Sequence, residues 1–182
     1  GYIAYKKITK KCSERIIRYA FEYCLAHNKK KLCCVHKANI LKKSDGLFLD
    51  TFNRIKEEYP SIEASDKIVD NMCMQLVMNP NQFECIVAPN LYGDILTDLI
   101  SGLIGGLGLA PAANIGKEEA IFEAVHGSAP DIAGLNLANP TAFLLSGAMM
   151  LEHLGEQEKA NKLKEAIKEV LLEKKYLTSA LG

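Results

Sequence analysis

The apolar positions of the chain follow two patterns that alternate along its first half. Between Ser13 and Cys24 they recur every three or four residues, which predicts a helix starting at Ser13 or one turn earlier. The continuous apolar run Leu32–Val35 has the length of a buried strand. The same reasoning predicts two further helices and two further strands, at about 47–59 and 71–78 and at about 62–69 and 84–88. Such alternation is typical of an α/β fold with a covered sheet.

The remaining segments carry weaker patterns. Residues 2–8 alternate weakly, which favours a short strand, and a helix is predicted after Pro89. Short strands are then predicted over 109–115 and 120–125.

The C-terminal region begins with a segment rich in Gly, Pro and Asn. This segment, Gly127 to Pro140, is predicted to be an ordered loop. The helix predicted over 142–154 is apolar almost all round, so we expect it to be buried. The last helix, over about 156–175, is amphipathic.

Composition narrows the class of protein. The chain has 22 Lys and Arg residues against 22 Asp and Glu residues, so neither nucleic acid nor a membrane surface is indicated as a partner. No apolar run reaches the roughly 20 residues of a transmembrane helix, and the first residues lack the pattern of a signal peptide. The hydrophobic content of 48% is that of an ordinary globular protein.

The cysteines indicate a reducing compartment. The six of them, at positions 12, 24, 33, 34, 73 and 85, show neither a C-x-x-C pair nor a zinc-ligand spacing. Four lie among apolar neighbours, where free cysteine behaves as a small apolar residue. We therefore expect free thiols and no disulfides.

Two aspartates lie four residues apart in the helix predicted after Pro89. Side chains at this spacing share a helix face, so Asp94 and Asp98 project together. Adjacent carboxylates repel each other unless a cation lies between them, and Mg²⁺ binds carboxylate oxygens. A solvated face with two acids is the alternative, although Asn90, Tyr92 and the glycines nearby favour a metal site.

Two more polar residues follow predicted strands. Lys37 comes directly after the apolar run 32–35, where α/β proteins place their ligand crevice. An ordinary surface lysine fits that position too, since Lys42 and Lys43 are close by. Asp70 lies between a predicted strand and a predicted helix, where an aspartate is a favoured N-cap. The local sequence leaves both alternatives open.

Four segments, in this order, resemble the β-decarboxylating dehydrogenases, the family of isocitrate, isopropylmalate and homoisocitrate dehydrogenases. They are V-H-K-A-N-I at 35–40, V-D-N-M-C-M-Q-L-V at 69–77, N-L-Y-G-D-I-L-T-D at 90–98 and H-G-S-A-P-D-I-A-G at 126–134. The resemblance covers nearly the whole chain but only the second half of the family's polypeptide, so we expect a fragment of a longer protein.

The resemblance implies the isocitrate/isopropylmalate dehydrogenase-like α/β fold in partial form. Residues 1–104 would be the small dimerising domain, lacking its N-terminal part. Residues 105–182 would be the C-terminal part of the large cofactor-binding domain. The tyrosine that reprotonates the enolate belongs to the family's first half, so we expect the 182-residue chain to be inactive by itself.

The resemblance also implies a metal site shared between subunits. Asp70, Asp94 and Asp98 match the family's ligands for Mg²⁺ or Mn²⁺, and Asp70 reaches the metal from the neighbouring subunit. A homodimer or a hetero-oligomer is then required. Lys37 matches the catalytic lysine, which makes Lys37, Asp70 and Asp94 the catalytic candidates, while Asn39 is expected to shape the turn after Lys37.

The segment from His126 resembles the family's cofactor loop. It is not a Rossmann fingerprint, because the glycines at 102–108 do not fit G-x-G-x-x-G. A carboxylate at Asp131 accepts hydrogen bonds from ribose hydroxyls and repels a 2′-phosphate, which favours NAD over NADP. Without the resemblance, a rigid Gly/Pro surface loop explains the same composition. The residues expected to contact NAD are His126, Gly127, Ser128, Ala129, Pro130, Asp131 and Asn139.

The activity implied is metal-assisted oxidative decarboxylation of a 2-hydroxy acid, with hydride passing to NAD. Longer segments, such as G-G-L-G-L-A-P-A-A-N-I-G, most resemble NAD-dependent isocitrate dehydrogenases. We therefore expect conversion of isocitrate to 2-oxoglutarate in the tricarboxylic acid cycle, in the mitochondrial matrix of a eukaryote or otherwise in the cytoplasm. The alternatives are homoisocitrate or 3-isopropylmalate as substrate, a regulatory subunit, and a dimerisation module. The intact Lys37 and aspartates favour a catalytic chain.

Overall fold

Residues 1–175 and 177–178 are described by the computed structural model. Contacts between α-carbons divide the chain into two units, one ending at Thr97 and the other beginning at Asp98. The division into two domains at residue 104, and the role expected of each domain, stays a prediction.

A three-stranded parallel sheet forms the centre of the first unit. Strand β1 (Lys31–His36) lies between β2 (Glu63–Ile68) and β3 (Cys85–Val87). Every residue of β1 after Lys31 is buried, as expected for a strand paired on both edges and covered on its faces. The strands predicted in this region are confirmed, with ends that differ by one residue.

Helices α1 (Lys10–Ala26) and α2 (Ser44–Ile55) pack against each other and against this sheet. Their contact includes the stacked rings of Phe21 and Phe52, whose centroids are 5.5 Å apart. The predicted period of three to four residues identified the buried Ile17, Phe21 and Cys24, although Ile16, from the same pattern, is 43% exposed. The buried core of the unit consists of Ile17, Phe21, Cys24, Leu32, Cys34, Phe48, Phe52, Ile55, Ile62 and Val87.

Two further helices carry the three aspartates predicted to bind a metal. Helix α3 (Val69–Met78) follows β2 directly, and α4 (Asn90–Leu103) follows β3. Both confirm the helices predicted there.

The strand predicted over residues 2–8 is wrong. These residues form no regular element, and no strand in the described part of the chain pairs with them. Tyr2, Ile3 and Tyr5 are exposed. A segment in which apolar and polar residues alternate only weakly forms a strand only when a neighbouring strand supplies its hydrogen bonds.

The second unit contains an antiparallel hairpin and two helices. Strands β4 (Pro111–Ile115) and β5 (Ala120–Ala124) pair with each other, and α5 (Thr141–His153) contacts both strands and α6 (Gln157–Glu173). These elements and the loop before α5 confirm the predictions. The expected burial of α5 is wrong in part, because the side chains on one face, including Phe143 at 67% exposure, reach solvent.

Two further expectations concern the whole chain. Within the described residues, no helix has the length and apolar character needed to cross a bilayer. All six cysteines are free thiols. Burial, with a smaller contribution from a hydrogen bond to Cys85, raises the pKa of Cys24 to about 12, so this thiol is inert at neutral pH.

Candidate active site

Lys37 and Asp70 lie side by side at one edge of the parallel sheet. The register pairs His36, the last residue of β1, with Ile68, the last residue of β2. The residues that follow these two strands therefore meet at the carboxyl edge of the sheet, which is the usual ligand edge of α/β proteins. Lys37 Nζ lies 2.5 Å from Asp70 Oδ1.

Asp70 is a charged carboxylate in this setting. The hydrogen bond from Lys37, followed by one from its own backbone N–H, holds the pKa of the Asp70 carboxyl below its usual range. The capping alternative for Asp70 is wrong, because α3 starts one residue earlier, at Val69, and Asp70 lies inside its first turn. An acidic side chain there is stabilised by the positive end of the helix.

The backbone around Lys37 is held by side chains. His36 Nδ1 accepts the N–H of Ala38 at 3.0 Å, so the imidazole proton is on Nε2, which donates to Asp66 Oδ2 at 3.1 Å. The predicted turn follows, closed by bonds from the N–H groups of Ile40 and Leu41 to the Lys37 carbonyl at 3.0 and 2.8 Å. Asn39 lies inside this turn.

Asp94 and Asp98 lie one turn apart on α4, and both are exposed. Neither forms an ion pair with another residue that the structure describes. Two carboxylates without a cationic partner are the hard oxygen donors that Mg²⁺ and Mn²⁺ prefer, with water or substrate oxygens as further ligands. The two residues therefore fit a divalent ion.

One chain does not bring the three predicted metal ligands together. Among its described residues, no three His, Cys, Asp or Glu side chains are placed to hold one ion. Asp70 is bound to Lys37 instead. The arrangement in which Asp70 comes from a neighbouring subunit stays a prediction.

The segment predicted to contact NAD lies in the second unit. Its backbone is tightly turned, with Ala129 at φ +40° before a short 3₁₀ helix, Pro130–Ile132, and Gly134 at φ +78°. The positive φ at Gly134 favours glycine, since a β-carbon there would strain the backbone. Asp131 is exposed, and His126 Nδ1 donates to the carbonyl of Gly127 at 2.9 Å.

Asn139 presents a free hydrogen-bond donor. Its Oδ1 accepts the N–H of Thr141 at 3.0 Å, which orients the amide. Its Nδ2 is buried and has no partner among the described residues. A β-carbon at Gly108 would lie 3.0 Å from the Asn139 β-carbon, closer than ordinary van der Waals contact, so the position favours glycine. A buried donor of this kind fits a ring nitrogen of adenine.

Sequence reasoning missed one buried group. Asp45 is fully buried, and it contacts Lys6, the backbone of Lys37 and the hydroxyls of Ser44 and Tyr92. Burial raises the pKa of the Asp45 carboxyl, but hydrogen bonds from Lys6 and from the Lys37 N–H outweigh it and leave the pKa below its usual range. The only local signal was an acid in the first turn of a predicted helix, which is common at the surface.

The fold and these groups define an α/β protein with an amine and a carboxylate at the ends of adjacent parallel strands. The chain belongs to the isocitrate/isopropylmalate dehydrogenase family, whose profile matches residues 2–182. Its fold is the α/β fold of that family in partial form.

Individual relatives agree with this assignment. The chain is 56% identical to homoisocitrate dehydrogenase of Methanocaldococcus jannaschii, covering 99% of the chain and 51% of the relative. It is also 56% identical to a regulatory subunit of the mitochondrial NAD isocitrate dehydrogenase of Dictyostelium discoideum, covering 97% and 50%. The crystal structure of isocitrate dehydrogenase from Methylococcus capsulatus matches with a TM-score of 0.97 at 53% identity, covering 99% of the chain and 53% of that structure. The chain thus spans about half the length of these proteins.

Proposed function

We propose that the whole protein carries out NAD-dependent, metal-assisted oxidative decarboxylation of isocitrate. The observation that carries the proposal is the contact between Lys37 and Asp70 at the carboxyl edge of the sheet. Membership of the family supports the class of reaction. The segments that resemble NAD-dependent isocitrate dehydrogenases support isocitrate as the substrate.

Lys37 would move the proton of the substrate hydroxyl. It stands at the end of a buried strand, and its side chain is 27% exposed, so its amine can reach a substrate while its backbone stays fixed. To act as a base, the Lys37 ammonium must first lose a proton, directly or through water. The hydroxyl proton then passes to Nζ as the carbon–hydrogen bond is broken.

The carboxylates would bind the metal. Asp94 and Asp98 of one subunit, with Asp70 of a neighbouring subunit, are the proposed ligands of Mg²⁺ or Mn²⁺. When bound, the ion supplies a positive charge that favours loss of the hydroxyl proton and then of carbon dioxide, and NAD accepts the hydride. Because Lys37 holds Asp70 in the same chain, both residues would serve the same neighbouring site.

The residues from His126 to Asp131, together with Asn139, would hold NAD. The buried Nδ2 of Asn139 is suited to an adenine nitrogen. The exposed carboxylate of Asp131 is suited to ribose hydroxyls. The oligomer would be a homodimer or a hetero-oligomer, located in mitochondria if the source is a eukaryote and otherwise in the cytoplasm.

The test is NADH formation by the whole protein with Mg²⁺ or Mn²⁺ and isocitrate, homoisocitrate or 3-isopropylmalate. We expect isocitrate to give the highest kcat/KM, and Lys37→Met to lower kcat by about 10²–10⁴-fold, the usual contribution of a general base. The matched control is Lys42→Met, which removes an exposed lysine five residues away and should retain activity. A preference for another of the three acids would contradict the choice of substrate.

A regulatory role is the second candidate function. The 56% identity to the regulatory subunit from Dictyostelium discoideum favours it, whereas Lys37, Asp70, Asp94 and Asp98 together favour a catalytic chain. A folded whole protein that oxidises none of the three acids, but raises the activity of a catalytic partner, would establish the regulatory role.

A further inference from the structure

The first unit contains a buried carboxylate that the proposed reaction does not use. Asp45 lies in the first turn of α2, and its side chain is 0% exposed. A carboxylate removed from water is stable only when it is hydrogen-bonded and paired with positive charge. Each of its two oxygens therefore needs a hydrogen-bond donor.

One oxygen of Asp45 holds the backbone of the candidate proton-transfer lysine. Oδ2 accepts the N–H of Lys37 at 2.8 Å. The next N–H, that of Ala38, is held by His36 Nδ1. The peptide groups on both sides of the Lys37 α-carbon are thus bonded to buried side chains, which restrains the direction in which the Lys37 side chain leaves the backbone.

The other oxygen of Asp45 is linked through Lys6 to Tyr92 of α4. Oδ1 accepts from Lys6 Nζ at 2.5 Å, and the same ammonium donates to the Tyr92 hydroxyl at 3.2 Å. The ammonium also lies 4.4 Å from the centre of the Tyr92 ring, within range of a cation–π interaction. Tyr92 is 8% exposed and stands in the first turn of α4, two residues before Asp94.

We propose that Asp45 is a positioning residue, which ties Lys37, proposed to serve the neighbouring subunit's site, and the helix that carries Asp94 to one buried anchor. The residues of this anchor are Asp45, Lys6 and Tyr92. The inference rests on the proposed function for the catalytic role of Lys37 and the metal-binding role of Asp94. Asp45 itself touches the backbone of Lys37 and not its amine, so it acts through Lys37.

The chemistry of the anchor explains why a carboxylate is required at position 45. The groups that face it are the Lys37 N–H and the Lys6 ammonium, which only donate, and the hydroxyls of Ser44 and Tyr92. An asparagine of the same shape has one acceptor oxygen and one amino group that only donates. In either orientation of Asp45→Asn, the amino group faces a donor and one side of the anchor is lost.

The first arm of the anchor is the bond from the Lys37 N–H to Asp45. It is tested by hydrogen exchange at the Lys37 amide, measured by mass spectrometry on the whole protein. Asp45→Asn should accelerate exchange at Lys37 by about tenfold or more, the loss expected for a bond to a charged acceptor. In the double variant Lys6→Met with Asp45→Asn, the remaining oxygen is free to turn to the Lys37 N–H. The exchange rate at the Lys37 amide should therefore fall back towards that of the unsubstituted protein.

The matched control for this arm is Thr51→Val. Thr51 is a buried polar residue on the same helix, and its hydroxyl donates to the Leu47 carbonyl at 2.6 Å. This variant disturbs α2 without touching Lys37, so exchange at Lys37 should change by less than about twofold. Equal acceleration in Thr51→Val and Asp45→Asn would show a general loosening of the unit and overturn the proposal.

The second arm of the anchor is the bond from the Lys6 ammonium to the Tyr92 hydroxyl. It is tested by Tyr92→Phe, which keeps the ring and removes only the hydroxyl. The Gly93 N–H, bonded to the Pro89 carbonyl at 2.9 Å, reports on the first turn of α4. We expect its exchange to accelerate by about threefold or more, while exchange at Lys37 stays the same. This arm remains decisive if Asp45→Asn fails to fold, because unchanged exchange at Gly93 would overturn the proposal.

Activity provides a separate readout. With isocitrate as substrate, Asp45→Asn should lower kcat by about tenfold or more and change KM by less than about twofold, because a displaced base slows the chemical step more than substrate binding. A protein that oxidises none of the three acids would contradict the proposed function, yet the exchange rates at Lys37 and Gly93 would still decide whether Asp45 holds them. Unaltered exchange at Lys37 in a folded Asp45→Asn protein would overturn the positioning role even if activity is high.

Discussion

The ion pair of Lys37 and Asp70 is open to solvent. The side chains are 27% and 68% exposed, and an exposed ion pair contributes little to the stability of a fold. Such a pair can separate at small cost when a ligand arrives. The proposed function requires this, because Lys37 must release a proton and Asp70 must turn an oxygen to a metal ion.

The buried carboxylate of Asp45 predicts a pH-dependent stability. Its pKa is lower in the folded state than in the unfolded chain, so its contribution is present above the unfolded pKa of about 3.9 and is lost as the pH falls through the folded pKa. We expect Asp45→Asn to reduce the free energy of unfolding by about 1–3 kcal/mol at pH 7. The difference from the unsubstituted protein should shrink below about pH 4, in thermal or urea unfolding at a series of pH values.

The control for this prediction is Asp50→Asn, an exposed aspartate on the same helix. It should change the free energy of unfolding by less than about 0.5 kcal/mol at any pH tested. A difference for Asp45→Asn that grows as the pH is lowered would contradict the assigned charge state.

Asp131 predicts the choice between the two nicotinamide cofactors. Because its exposed carboxylate would repel a 2′-phosphate, Asp131→Asn should lower the ratio of kcat/KM for NAD over NADP by about tenfold, which corresponds to about 1.4 kcal/mol. Glu118→Gln removes another exposed carboxylate of the second unit and should leave the ratio unchanged. An unaltered ratio in Asp131→Asn would argue against contact with the ribose.

The residues of the candidate site differ in how far the sequence predicts them. The position of Lys37 at a strand end could be predicted, because a short apolar run marks the strand. The role of Asp45 could not, because it depends on contacts with Lys6 and Tyr92, which are 39 and 47 residues away in sequence. The capping role considered for Asp70 was wrong because a shift of a helix start by two residues changes the role of an N-terminal acid.

At the scale of elements, α1 begins at a cap that can be removed without altering the core. Thr9 is the N-cap, and its side chain accepts the N–H of Cys12 at 3.3 Å. Thr9→Ala should lower the free energy of unfolding by about 0.5–2 kcal/mol, measured by urea denaturation. Thr9→Ser keeps the hydroxyl and should retain most of the stability, so an equal loss in both variants would show that the methyl group, and not the cap, matters.

Prediction of elements succeeded where one face of the element is covered within the unit. The period of α1 matches its buried face, and β1 is paired on both edges. It failed for residues 2–8 and for the exposed face of α5, because apolar character shows that a segment can be buried and not which surface covers it.

At the scale of the whole molecule, the proposed sharing of ligands between subunits predicts complementation. Asp70→Asn and Asp94→Asn should each be inactive as homodimers. In a mixed dimer, one site carries both substitutions and the other carries neither, so random mixing should restore about one quarter of the activity. The measurement is NADH formation after the two inactive proteins are co-expressed or refolded together.

A second mixture distinguishes this arrangement from simple stabilisation. Asp94→Asn mixed with Asp98→Asn leaves one substituted ligand in every site, because both residues belong to the same subunit's helix. No activity should return. Recovery in this control, or none with Asp70→Asn, would contradict a site built from two subunits.

The central position of β1 has a consequence for synthesis of the protein. The strand leaves the ribosome before either of its neighbours, since β3 ends 51 residues after β1 does (87 minus 36). At ordinary rates of translation, an apolar strand with at least one open edge then waits for about 3–10 seconds. The nascent chain during this interval is a substrate for chaperones and is prone to aggregation, so slow translation between residues 37 and 87 should reduce the yield of folded protein.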